Sequence, residues 1–169
     1  QIVYLVGWQH GGHDDKYPDL SGVNPRLGGR EKLIDLIEEA KRFNAIVSLH
    51  VNFDDAYQDS PAWDPQIIST DIDGDFQKWE IFNDRQAYHI SHNKDVRKGS
   101  AYSRIDSLLN LLPIRQSIHL DAFRYTNESW DPDGHKDMMT ELVLGCYKII
   151  DHFKHYGVDV TTEGFFPGL

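Results

Sequence analysis

The feature that most constrains the fold is an alternation of four short apolar runs with amphipathic segments, each run ending on polar residues. The runs are Ile2–Trp8, Ile46–Phe53, Ser117–Phe123 and Val158–Glu163. Each is β-branched or aliphatic and stops at polar or Gly-rich sequence, the pattern of a strand. Near-continuous apolar character suits parallel strands covered on both faces. Three segments with apolar residues three and four apart separate them, and these predict helices over Glu31–Phe43, Val96–Leu112 and Lys136–Tyr156. Their Met and aromatic residues belong to the core on this reading.

Strand, helix and strand in repetition imply right-handed parallel crossovers. Eight such units close a (β/α)8 barrel of ~250 residues, and 169 residues supply about half. Four strands alone leave two sheet edges and one face open. The expectation is one partial barrel domain over 1–169, completed by sequence outside this chain or by another copy. The chain opens on Gln1 with no visible signal peptide, as a piece of a longer protein would. A long insertion at about 54–94 interrupts the alternation. Its Asp73-Gly74 pair predicts a hairpin turn. A calcium loop on Asp71, Asp73 and Asp75 is the weaker reading, because the terminal Glu of such a loop is missing.

Composition narrows the chemistry. A formal charge of −10 argues against nucleic acid as the main partner. No apolar run approaches the ~18 residues of a membrane span. The single cysteine, Cys146, excludes an internal disulfide and a cysteine-based metal site, and reads as a small buried hydrophobe. Aromatic residues make up 12% of the chain, including four Trp that could stack on sugar faces.

Each strand ends on a polar cluster. After the first come His10, His13, Asp14 and Asp15. The second ends on His50 and Asn52, the third on Asp121 and the fourth on Glu163. Catalytic groups gather at this end of a parallel sheet. Two carboxyl groups converging there suit glycosidic bond cleavage. The plainer alternative is that such acids cap a following helix, but no helix starts directly after Asp121 or Glu163. Nine histidines keep a metal-dependent hydrolase as a rival, with His119 one layer below Asp121 on the same strand face. A non-catalytic carbohydrate-binding fragment is the other.

These residues carry a family resemblance. Gly12-His13-Asp14, Arg26-Leu27-Gly28-Gly29 with the helix after it, His50-Val51-Asn52, Asp73-Gly74, Leu120-Asp121 and Thr162-Glu163 occur in an order that resembles the catalytic barrel of glycoside hydrolase family 101, the endo-α-N-acetylgalactosaminidases. It also resembles the related family 129 α-N-acetylgalactosaminidases. The resemblance implies a retaining mechanism on α-linked N-acetylgalactosamine, or a related α-galactoside-type sugar, of a glycan or O-glycoprotein. Asp121 would be the ionised nucleophile and Glu163 the protonated acid/base. His13, Asp14, His50, Asn52, Trp79 and Tyr125 would bind substrate, with Trp8, Trp79 and Trp130 as stacking candidates. No cofactor and no metal are required. A secreted or cell-surface bacterial enzyme is implied, although the family includes intracellular members.

Two departures stand out. Ala122-Phe123-Arg124-Tyr125 replaces the family's Trp-Gly-Asn-Gly after the nucleophile, and the carboxyls lie 42 positions apart, closer to family 129. The run Leu120–Arg124 also loosely resembles α-amylase nucleophile strands, which carry Arg where this chain has His119.

Overall fold

A computed structural model describes residues 1–123, 129–131 and 134–163. In chain order its elements are β1 (Ile2–Leu5), α1 (Gly29–Arg42), β2 (Ile46–Asn52), β3 (Asp55–Tyr57), β4 (Lys78–Phe82), β5 (Arg85–His89), α2 (His92–Lys98), α3 (Ser100–Leu111), β6 (Ser117–Asp121), α4 (Met139–His155) and β7 (Asp159–Thr162).

The four expected strands form one parallel sheet in the order β1-β2-β6-β7. Each is shorter than the sequence suggested. The Trp8, Phe53 and Phe123 ends turn into the core as loop residues, all essentially buried. Period-two alternation splits the sheet into unlike faces. Leu49 and Val51 of β2 and Ile118 and Leu120 of β6 are buried in one apolar cluster with side chains of α1, α3 and α4. The opposite face carries Ser48, His50 and Asn52 from β2 beside Ser117, His119 and Asp121 from β6. The two serine hydroxyls meet at 3.1 Å. β1 is an edge strand whose Ile2, Val3 and Tyr4 are exposed.

One helix was expected over Val96–Leu112, and two are found. Gly99 sits between α2 and α3 at φ 82°, a left-handed conformation that ends the first and opens the second. Val96 is the single apolar residue of α2, too little to set a phase, so periodicity alone could not place the break. α2 packs closely on α4 at Gly145, where a Cβ would lie 2.8 Å from the Asn93 nitrogen. Cys146 is buried there as expected, with Sγ 3.3 Å from His92 Nδ1, and burial pushes its thiol pKa up.

The insertion builds a second, antiparallel sheet in the order β3-β5-β4. Its hairpin turns at Asn83-Asp84, both at positive φ (51° and 60°), the backbone of a type I′ turn. The sequence reading placed the hairpin at Asp73-Gly74 instead. A tight turn is present there, with Gly74 at φ 87°, but the flanking runs meet only in an isolated Thr70–Phe76 bridge. Asp71 Oδ1 accepts the Asp73 and Asp75 amides at 3.0 and 2.9 Å, which gives that carboxylate a turn-forming role.

Candidate active site

Strand register assembles the site. His50 pairs with His119 and Asn52 with Asp121 across β2 and β6. Leu120 pairs with Thr162, so Asp121 and Glu163 are the next neighbours at the C-terminal ends of β6 and β7. Adjacent strands run about 4.8 Å apart, so the two carboxyl-bearing residues leave the sheet side by side. Directly after Asp121, Ala122 adopts φ 47°, turning the chain sharply.

Asp121 is half-buried, and each of its oxygens faces a different β2 side chain. Oδ1 lies 3.5 Å from His50 Nε2. Oδ2 accepts a hydrogen bond from Asn52 Nδ2 at 3.4 Å. Burial pushes the Asp121 carboxyl above the usual carboxylate range; His50 draws it back, and Glu163 and Asp14 push it further. The expected ionised nucleophile is therefore harder to ionise than an exposed aspartate. Burial holds the His50 pKa down, against the pull of Asp121, which favours the neutral imidazole. With Nε2 turned to Asp121, His50 Nδ1 is left buried without a hydrogen-bond partner among the described residues.

The first loop closes over β2. The Trp8 indole N–H and the Gln9 amide both donate to the His50 carbonyl, each at 2.9 Å. This seats Trp8 in the core at 1% exposure. Trp8 therefore fails as a stacking platform: its polar atom is spent on β2 and its face is packed. His13 stands edge-on to the His50 ring, centroids 5.2 Å apart, with Nε2 3.2 Å from Asp14 Oδ2. Arg85 of β5 pairs with Asp15 and Asp59 and lies over the Tyr57 ring, tying this loop to the second sheet.

Beneath, His119 Nδ1 meets Thr161 Oγ1 at 2.8 Å, and its ring packs against His50 and Tyr4. Trp79 lies on β4, half-buried against the His89 ring at 4.6 Å. Trp130 is half-buried beneath the Lys136 ammonium. Tyr125 falls outside the described residues. Of the residues proposed from sequence, the structure thus gathers His13, Asp14, His50, Asn52, Asp121 and Glu163 at one end of the sheet.

Sequence reasoning missed Asp55. It is 3% exposed, and its Oδ2 accepts from Asn52 Nδ2 at 2.8 Å. Burial and neighbouring Asp54 push its pKa up to about 8, against the Asn52 hydrogen bond. The Asp54-Asp55 pair directly after a strand end was the available signal. Among the described residues, three donor sets in this region could hold a metal ion, their ligand atoms within 4.8 Å of one another: His13–His50–Asp121, His50–His119–Glu163 and Asp54–Asp55–His89.

A parallel α/β sheet with carboxyl groups at its strand ends is the framework of barrel-type glycoside hydrolases. The solved structures it matches include the α-N-acetylgalactosaminidase NagBb of Bifidobacterium bifidum, with a TM-score of 0.84 at 16% identity over 96% of this chain and 26% of that one. The family 36 α-galactosidase AgaA of Geobacillus stearothermophilus matches with a TM-score of 0.65 at 17% identity over 97% and 24%. A family model described as endo-alpha-N-acetylgalactosaminidase, glycoside hydrolase family 101, matches residues 1–163, and the chain belongs to that family. A curated relative of Renibacterium salmoninarum, named for the same activity, is 25% identical over 109 residues, 64% of this chain and 7% of its own length. The chain thus spans a small part of the curated relative and about a quarter of these solved structures.

Proposed function

We propose that this chain is the dyad-bearing part of a retaining glycoside hydrolase that releases α-linked N-acetylgalactosamine, or a related α-galactoside-type sugar, from a glycan or O-glycoprotein. The observation that carries the reading is the placement of Asp121 and Glu163 at neighbouring ends of two parallel strands. Family membership supports the substrate class. Asp121 attacks the anomeric carbon, and the glycosidic carbon–oxygen bond breaks as Glu163 gives its proton to the leaving oxygen. Glu163 then takes a proton from water, whose oxygen attacks the same carbon and releases Asp121. Retention needs the two carboxyl groups ~5–5.5 Å apart.

We assign His13, Asp14 and His50 to sugar hydroxyls, and a site built for a hydroxyl discriminates strongly against sugars that lack it. Asn52, 1% exposed and committed to the Asp54 and Asp55 amides, Asp55 and Asp121, serves Asp121 and not the sugar. Trp79 and Tyr125 are assigned to the substrate on the family resemblance alone. The open edges at β1 and β7, with exposed apolar residues on β1, fit half of a barrel whose other strands come from the rest of the protein. The test is turnover of an aryl α-N-acetylgalactosaminide by the full-length protein, with anomeric configuration followed by proton NMR. Asp121→Ala and Glu163→Gln should each abolish turnover of a substrate with a poor leaving group. Wild-type rates in both variants would end the proposal.

A further inference from the structure

Asn52 is held at both ends. Its Oδ1 accepts the backbone amides of Asp54 and Asp55 at 2.7 and 2.8 Å, which fixes which end of the side chain is oxygen. Its Nδ2 has two hydrogens, one for Asp55 Oδ2 and the other for Asp121 Oδ2. Asp55 in turn is nearly fully buried, and its second oxygen, Oδ1, has no partner among the described residues. Burying a carboxyl with half of its acceptor capacity unused costs stability and gives the fold nothing that a smaller residue would not. What the arrangement does supply is orientation of one amide toward one oxygen of Asp121.

We infer that Asp55 is a positioning residue for Asp121, acting through Asn52. By anchoring one Nδ2 hydrogen it aims the other at Asp121 Oδ2 and leaves Oδ1, on the His50 side, to attack. This inference rests on the assignment of Asp121 as nucleophile. It also gives the site a pH response. The charged and titratable groups around Asp55 are Asp54 beside it, Asp121 of β6, Asp14 and Tyr17 of the first loop, Tyr57 of β3 and His89 of β5. The acids disfavour its ionisation, so at neutral pH Asp55 is mostly a neutral, moderate acceptor and Asn52 is shared. Once ionised, it competes more strongly for Nδ2 and draws that amide from Asp121.

The experiment compares Asp55→Ala and Asp55→Asn with wild type in the full-length protein. Asp55→Ala should lower kcat about ten-fold or more with KM changed less than about two-fold, because a lost charge-assisted hydrogen bond acts on the reacting group. Asp55→Asn keeps an acceptor for Asn52 Nδ2. It should retain kcat within about three-fold and lack the decline expected of wild type as Asp55 ionises with pH rising through about 8. A folded Asp55→Ala variant with wild-type kcat overturns the inference. So does an Asp55→Asn variant that keeps the wild-type alkaline limb, and this second arm decides the matter if the alanine variant does not fold. A carbon-13 titration of the Asp121 carboxyl separates this inference from the glycosidase reading. In Asp55→Asn, the Asp121 pKa should stop responding to a titration near 8. An unchanged Asp121 curve refutes the positioning role and leaves the glycosidase reading standing, whereas a wild-type rate in Asp121→Ala refutes the glycosidase reading and the inference that rests on it.

Discussion

Replacing Asn52 probes the join between fold and site. Asn52→Ala strands three buried groups at once: the Asp54 amide, the Asp55 amide and Asp55 Oδ2. Each buried group left without a partner costs about 1–3 kcal/mol, so the sum is roughly 3–9 kcal/mol. That is a large share of the ~5–15 kcal/mol that holds a domain folded. In a domain of this size ~1 kcal/mol moves Tm by ~2–4 °C, so a loss of at least ~6 °C is expected. Asn52→Asp keeps an acceptor for both amides and removes only the donor, setting a third carboxyl between Asp55 and Asp121. Its two backbone bonds should persist while kcat/KM falls about 10- to 150-fold, the equivalent of ~1.5–3 kcal/mol for a hydrogen bond to a charged group. The assay is thermal denaturation together with hydrogen exchange of peptides covering residues 50–57, and steady-state kinetics on the same samples. An Asn52→Ala variant that melts within about 2 °C of wild type, with unchanged exchange at residues 54 and 55, would refute the reasoning.

Three further outcomes follow from the same contacts. Gly145→Ala drives a Cβ into the Asn93 and His92 backbone at 2.8 and 2.9 Å, and should destabilise by about 1–3 kcal/mol, read from the denaturant midpoint. Arg104 pairs through both terminal nitrogens with Asp95, whose side chain is fully buried, so Arg104→Ala should cost about 3–5 kcal/mol by stranding that charge. The raised Asp55 pKa has a definite sign. The folded state keeps a proton that the unfolded chain releases near ~3.9, so this contribution is full below that pH and is lost as pH rises to about 8. Urea midpoints at pH 5 and pH 9 should differ less in Asp55→Asn than in wild type.

The four parallel strands were legible in the sequence because each is a continuous apolar run, and burial on both sides leaves that mark locally. Asp121 and Glu163 were legible because they end such runs. The break at Gly99 was hidden, since α2 carries a single apolar residue, Val96, and so offers no stripe whose phase could be compared with that of α3. The Asn83-Asp84 hairpin lost out to Asp73-Gly74 because Gly reaches positive φ at no cost, and so gives the stronger local signal. Trp8 read as a candidate stacking platform at a strand end, while its indole is in fact spent on the His50 carbonyl.

Sequence alone determined which residues could do chemistry and at which end of the sheet they lie, because strand alternation and termination are properties of neighbouring residues. Tertiary structure decided which of them meet. Asn52 reaches Asp121 across 69 positions, and His50 faces His119 only in the register that β2 and β6 adopt. A slip of one residue would turn every one of these side chains to the helix-covered face. Asp55 shows the same division: the Asp54-Asp55 pair after a strand end marks it in the sequence, and only burial, the Asn52 turn and the nearby carboxylates make it part of the site.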